Sequence, residues 1–250
     1  MKTSFLSTLL FLFLLSCKPQ AEEAAPIENP PAEGFNLEAS DEKAIEIADA
    51  VMEALGGRKA WDETQYISWN FFGSRKHVWN KMTNDVVIEG IRDTFLIKMN
   101  IESMEGTVNY HGNELTKADS LDKYLDRGKG MWINDAYWLV MPYKLKDSGV
   151  TLKYLRQDTT QQGVMSDVLE LTFEEVGNTP DNKYEIYVDP DSKLVTQWDF
   201  YTRYTDSLPR FQIPWLNYEK YGNIMLSGDR GGNRQLTGIA VGDSLSRFFQ

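Results

Sequence analysis

The sequence predicts an α+β, mainly β fold: a curved antiparallel half-barrel of about eleven strands under two or three covering helices. Three observations predict it. Apolar residues recur at three- and four-residue spacing in one clear stretch, over 41–56. From residue 65 onward most of the chain alternates apolar and polar residues, the pattern of antiparallel strands buried on one face. Clusters of Gly, Asn, Asp and Pro separate these runs at short intervals.

The elements are taken in chain order. Lys2, an apolar run from Phe5 to Leu15 and the sequence Leu14-Leu15-Ser16-Cys17 have the anatomy of a signal peptide over 1–16. The run is roughly half the twenty residues that a spanning helix needs. Leu-x-Ser-Cys resembles the bacterial lipobox, so Cys17, the single cysteine of the chain, is expected to carry acyl chains and to make the membrane a partner. Lys18 is not the aspartate of inner-membrane retention, and Gln20-Ala21-Glu22-Glu23 resembles an acidic surface-export tract of Bacteroidota lipoproteins. Together these place the chain at the outer membrane, on its periplasmic face or at the cell surface. Residues 17–39, rich in Pro, Ala and Glu without hydrophobic period, read as a disordered tether, and 40–250 as one half-barrel domain.

Ser40 is the expected N-cap of the first helix, with Asp41 and Glu42 in its first turn and Gly56-Gly57 at its end. Ala44, Ile45, Ala48, Val51, Met52 and Leu55 form its buried stripe. The period then changes to two. Ile67, Trp69 and Phe71 share one strand face; Phe95, Ile97, Met99 and Ile101 share another; Leu169, Leu171 and Phe173, then Trp198 and Phe200, continue the series. Turns are expected at 83–85, 111–113, 177–180, 189–192 and 228–232. The stretch from Asp119 to Tyr143 has helical character, loosened by Gly128 and Gly130 and resuming from Trp132 to Met141.

Composition narrows function. A net charge of −11 disfavours nucleic acid, whose phosphates require a basic patch. With no second cysteine to form a disulfide, stability must come from packing, for which seven Trp, twelve Tyr and twelve Phe supply area. Catalytic groups are sparse. The two histidines, His77 and His111, fall in a strand and a turn, and no zinc ligand spacing, nucleophile elbow or nucleotide loop occurs. Asp189-Pro-Asp-Ser192 lacks the glycine and glutamate of a calcium loop and reads as a hairpin turn. Gly228-Asp-Arg-Gly-Gly-Asn233 reads as a flexible loop rather than a phosphate cradle, and Asp119, Asp122 and Asp126 as a solvated helix face. No catalytic residue, metal or cofactor is assigned; a carboxylate hydrolase using Asp135 or Glu89 would need a strongly raised carboxyl pKa in a cleft.

This layout, helix then long meander with an inserted helical segment on an exported chain, resembles the periplasmic lipoprotein-carrier superfamily typified by LolA and LolB. Ala54-Leu-Gly-Gly-Arg-Lys-Ala-Trp61, Trp69-Asn-Phe-Phe-Gly73 with His77 and Trp79, and Trp132-Ile-Asn-Asp-Ala-Tyr-Trp-Leu-Val-Met-Pro-Tyr143 resemble an uncharacterised domain family of Bacteroidota lipoproteins. The superfamily resemblance implies an unclosed barrel whose helices lie over an acyl-chain cavity, with lipid or lipidated protein as cargo. The expected wall of that cavity is Trp69, Phe71, Phe95, Ile97, Met99, Trp138, Met141, Trp198 and Phe200. The alternative is a surface-exposed interaction module in which these residues merely fill a core.

Overall fold

A computed structural model describes residues 28–174 and 181–250. The signal peptide, Cys17 and the tether to residue 27 lie outside the described residues, as does the turn expected at 177–180. Two short helices open the domain, α1 (Glu42–Ala54) and α2 (Arg58–Glu63). There follow β1 (Tyr66–Phe71), β2 (Arg75–Asn80), β3 (Asp85–Gly90), β4 (Phe95–Asn100), β5 (Gly106–Tyr110) and β6 (Asn113–Glu114). The long helix α3 (Ala118–Val140) separates these from β7 (Val150–Thr159), β8 (Met165–Phe173), β9 (Lys183–Val188), β10 (Val195–Tyr201) and β11 (Phe211–Pro214). A hairpin, β12 (Leu216–Tyr221) and β13 (Ile224–Asp229), precedes β14 (Leu236–Val241), and a 3-10 segment, Asp243–Phe249, ends the chain.

The fold class is the one expected, mainly β in open, curved antiparallel sheets with a few helices. The subdivision differs. The described strands form a seven-stranded sheet ordered β14-β1-β2-β3-β4-β5-β6, a five-stranded sheet ordered β11-β10-β9-β8-β7, and the β12–β13 hairpin. Alternation is weak in β12 because none of its residues is buried and Glu219 and Lys220 are exposed in succession, and absent in β6 because two residues carry no period. β14 returns from the end of the chain to pair with β1, Ile67 opposite Val241 and Phe71 opposite Leu236.

Helix α1 buries Ala44, Ala48, Val51 and Met52, as its spacing dictates. Its cap differs from expectation. Asp41 occupies the N-cap without a side-chain cap bond, and its carboxylate accepts from Lys153 Nζ and Tyr154 N, each at 3.0 Å, pinning α1 to β7. Ser40 Oγ instead accepts from Leu152 N at 3.0 Å and donates to Asn36 O at 2.7 Å. At Gly56, φ is +113° and a Cβ would stand 2.3 Å from Asn223 O, so only glycine lets α1 end against β13.

Residues 28–39 correct the tether expectation. Phe35 is buried, Ala32 N donates to Lys146 O and Asn36 N to Val150 O, both at 3.0 Å, and Asn29 Nδ2 donates to Asp49 at 2.7 Å. Proline and glutamate hide this docking, because a single apolar anchor makes no period.

α3 is one unbroken helix of 23 residues. Gly128 does not loosen it. A Cβ there would meet Met99 Sδ at 3.0 Å and Ile97 side-chain carbons at 3.3 Å, so the glycine lets α3 lie close on β4.

Candidate functional site

Eight of the nine expected wall residues belong to one apolar cluster between the sheets and α3. Ile97 and Met99 project from β4 beneath Gly128 with Phe95 on the same face, Trp69 and Phe71 from β1, and Trp198 from β10, while Trp138 and Met141 belong to the end of α3 and the turn after it. Phe200 lies at the rim, half-buried, stacked on Phe211 at 4.8 Å and tilted against Tyr184 at 5.2 Å. Trp138 is the joint between the sheets, 4.9 Å from Trp198 and 6.4 Å from Phe71 by ring centroids. Seven of the nine, all except Trp138 and Phe200, are no more than 7% exposed. The wall is therefore covered in this state. Its cover is α3, which supplies Leu125, Ala136 and Leu139 along with the rings of Trp132, Tyr137 and Trp138.

Alternation leaves out several members. Tyr184 and Phe211 flank Phe200, Tyr137 stacks 5.8 Å from Trp198, and Trp215 packs edge-on to Trp198 at 5.6 Å. Tyr184 carries a usable signal, since Tyr184, Ile186 and Val188 alternate; Trp215 carries none, since a lone aromatic in a loop has no phase. Trp61 stacks on Tyr143 at 4.2 Å, and the Tyr143 hydroxyl donates toward Leu55 O and Met225 O at 2.9 and 2.8 Å.

Polar groups fasten α3 in its C-terminal half. Asp135, fully buried, accepts from Arg75 Nε at 2.7 Å, Arg75 Nη2 at 2.9 Å and His77 Nε2 at 2.7 Å. The His77 ring is also fully buried and stacks on Trp69 at 4.7 Å. Its Nδ1 has no hydrogen-bond partner among the described residues. Protonating that nitrogen would bury a second donor without an acceptor, so His77 is neutral, with the proton on Nε2. Burial holds its pKa below 6.5 despite the attraction of Asp135. Burial raises the Asp135 carboxyl, but the hydrogen bonds from His77 and Arg75 outweigh it and hold the pKa below the usual value.

That direction is the reverse of what a hydrolase using Asp135 requires. The carboxyl pushed up by burial is Asp199, on the other face of the five-stranded sheet. It is locked by Gln197 Nε2 at 2.8 Å, Gln212 Nε2 at 2.7 Å and the Tyr187 hydroxyl at 3.3 Å. Among the described residues no group of three or more His, Cys, Asp or Glu is placed to hold a metal ion.

The glycine-rich segment at 228–233 is not a loose loop at its centre. Arg230 is fully buried, its guanidinium 3.4 Å from the Trp215 ring centroid. Nη2 donates to Trp138 O at 2.6 Å and to Ser227 O at 2.9 Å, and Nη1 to Ser227 Oγ at 2.9 Å and Asp229 O at 3.0 Å. Desolvation pulls its pKa down to about 9. A cation on the last carbonyls of α3 suits the negative end of the helix dipole. Asp189 to Ser192 forms the hairpin turn between β9 and β10, its carboxylate accepting from Asp191 N and Ser192 Oγ. Asp119, Asp122 and Asp126 are exposed.

No family model matches the chain, and no curated protein does either. Among solved structures, a DUF1329 family protein of Desulfovibrio piger is similar with a TM-score of 0.44 and 13% identity over 84% of this chain and 98% of its own. A domain of Vibrio parahaemolyticus, named for outer membrane lipoprotein sorting, is similar with a TM-score of 0.36 and 11% identity over 81% and 91%. MucB is similar with a TM-score of 0.28 and 14% identity, over 81% of this chain and 60% of its own.

Proposed function

We propose that this chain is a lipid-anchored envelope protein, tethered through Cys17 at the outer membrane, that holds an apolar ligand without chemical turnover. The ligand, an acyl chain or a lipidated protein, would lie against the aromatic wall after part of α3 moves aside. One observation carries the reading: α3 is fastened unevenly. Among the described residues, the ion pairs from α3 to another element and its hydrogen bonds from charged side chains fall at Asp135 and Trp138. Residues 118–131 lie over Phe95, Ile97 and Met99 by apolar and ring contacts, with Leu125 and Gly128 the buried positions. The polar links there are the contact between the half-buried tyrosines Tyr110 and Tyr124 and the Arg127 guanidinium, 5.8 Å from the Phe95 ring centroid. Apolar contacts are non-directional, and an acyl chain replaces them at little cost.

Native mass spectrometry of protein isolated from its own host, before and after delipidation, tests this. Co-purified lipid and saturable quenching of tryptophan fluorescence by added fatty acid are expected. Absence of both overturns the reading.

A second reading is a surface interaction module with a filled core. The near-complete burial of seven of the nine wall residues favours it. A hydrophobic dye separates the two: a filled core takes up none in the native state, whereas a wall under a yielding cover does.

A further inference from the structure

The convex face of the seven-stranded sheet carries a second apolar patch. Val78 and Val87 are buried there beneath Leu245 of the 3-10 segment Asp243–Phe249, with Tyr66, Leu96, Phe248 and Phe249 packed around them. The 3-10 segment covers β1 and β2 and stops short of β4, leaving an open groove of about 410 Å³ between Phe248 and the outer faces of β3 and β4. That volume is in the range of small-molecule sites.

Its floor is Val87 and Leu96, and its cations are Lys98 and Arg247. Neither cation has an Asp or Glu carboxylate within 4 Å among the described residues; Lys98 Nζ makes one long contact, 3.5 Å to Gln250 O. Register places Lys98 directly opposite Val87, while Glu89, the groove's one acidic side chain, stands opposite Lys76 on one side and Leu96 on the other. Lys76 Nζ in turn lies 4.3 Å from the Phe248 ring centroid, so a third cation borders the groove. Three cations against Glu89 leave net positive charge beside the apolar floor. On a chain of net charge −11, this local reversal of sign selects for an anion. From Thr94 to Lys98 the floor runs about 13 Å along β4.

We propose that this groove binds a single-chain anionic amphiphile, the alkyl chain on Val87, Leu96 and Phe248 and the carboxylate or phosphate head on Lys98 and Arg247. Leu96 and Lys98 face away from Ile97 and Met99 of the aromatic wall, Phe95 alone touching both sites at the end of β4, and binding here does not depend on movement of α3. No tryptophan lines it, so occupancy leaves tryptophan fluorescence unchanged, whereas a ligand on the wall quenches it.

The test is titration of the mature chain with dodecanoate, dodecyl phosphate and uncharged dodecanol below their micellar concentrations, read by calorimetry and by backbone amide shifts. Dodecanoate or dodecyl phosphate is expected to bind saturably, moving amides of 243–249 and of Val87, Leu96 and Lys98 while those of α3 stay in place. Comparing the two heads distinguishes a free fatty acid from a phosphate-headed lipid as the source. Lys98→Glu with Arg247→Glu, both exposed enough to leave the core intact, should weaken the anions by about tenfold or more, as expected for lost charge-assisted hydrogen bonds. Dodecanol should change little. Equal binding of anion and alcohol, an unaffected charge-reversed variant, shifts confined to α3 and the wall, or no saturable binding would each overturn the proposal.

Discussion

Asp135→Asn measures how firmly α3 is held. The carboxylate is fully buried and takes three hydrogen bonds from β2, two from Arg75 and one from His77, each between 2.7 and 2.9 Å. The amide is isosteric, so packing survives while the acceptor facing the guanidinium is weakened and part of it becomes a donor. Breaking a buried ion pair costs about 3–5 kcal/mol, mainly because the remaining charge is stranded. Here the Arg75 side chain is 22% exposed and can turn toward water, which puts the expected loss at the lower end, about 3 kcal/mol. For a domain of this size, that lowers Tm by roughly 6–12 °C. Urea unfolding followed by far-UV circular dichroism reads the loss as a fall in midpoint at unchanged slope. Pairing the substitution with Arg75→Met should cost clearly less than the sum of the two single changes, since both remove one interaction. A loss under about 1 kcal/mol, or strict additivity, would refute the idea that this cluster holds the helix.

His77 gives a pH dependence. Its folded pKa lies below 6.5, so the unfolded chain takes up a proton first: its contribution is complete above about pH 6.5 and is lost as pH falls toward the folded value, by at most about 1.4 kcal/mol per pH unit. Unfolding at pH 7.5 and 5.5 should show that decline, and His77→Gln should flatten it. Gly128→Leu should destabilise by about 1–3 kcal/mol, because Met99 and Ile97 already lie within contact of a Cβ; an unchanged unfolding midpoint would contradict the close approach of α3 to β4. Arg230→Met should cost about 2–4 kcal/mol by stranding the carbonyls of Trp138, Ser227 and Asp229, again read by urea unfolding. Cys17→Ser should move the protein from the membrane to the soluble fraction on cell fractionation; retention in the membrane would remove the lipid anchor from the proposed function.

Periodicity makes the surface-facing logic of this chain legible. Strands such as β4, with Phe95, Ile97 and Met99 buried and Leu96, Lys98 and Asn100 partly covered, declare their faces directly. What escapes is interaction between elements distant in sequence. Nothing local marks Asp135 as the partner of Arg75, 60 residues away, or Arg230 as the partner of Trp138, 92 residues away. β3 shows why: Val86, Val87 and Ile88 are buried in succession because Leu245, far along the chain, covers the one outward residue Val87, so the strand loses its alternation. Gly128 hides its role for a related reason. In isolation a mid-helix glycine weakens a helix, and only the facing strand turns it into a close contact.

If the proposed function holds, the arrangement of α3 explains how a ligand-binding wall can be buried without being useless. On that reading the burial of Phe95, Ile97 and Met99 belongs to a closed state, and its worth would be set by what replaces α3 when it leaves. Exposing that wall to water would forfeit roughly 25 cal/mol per Å² of apolar surface, whereas exposing it to an alkyl chain forfeits little of it. The C-terminal half of α3 has no such exchange open to it, because no alkyl chain can replace the acceptors that Arg75, His77 and Arg230 find on Asp135 and Trp138. The same helix would therefore be exchangeable at one end and fixed at the other, with Gly128 and Gly130 at the boundary. Amide hydrogen exchange resolves the two halves. Residues 118–127 should exchange faster than 132–140 in the free protein, and fatty acid should accelerate the first half alone. Uniform protection along the helix, unchanged by fatty acid, would leave the filled-core reading in its place.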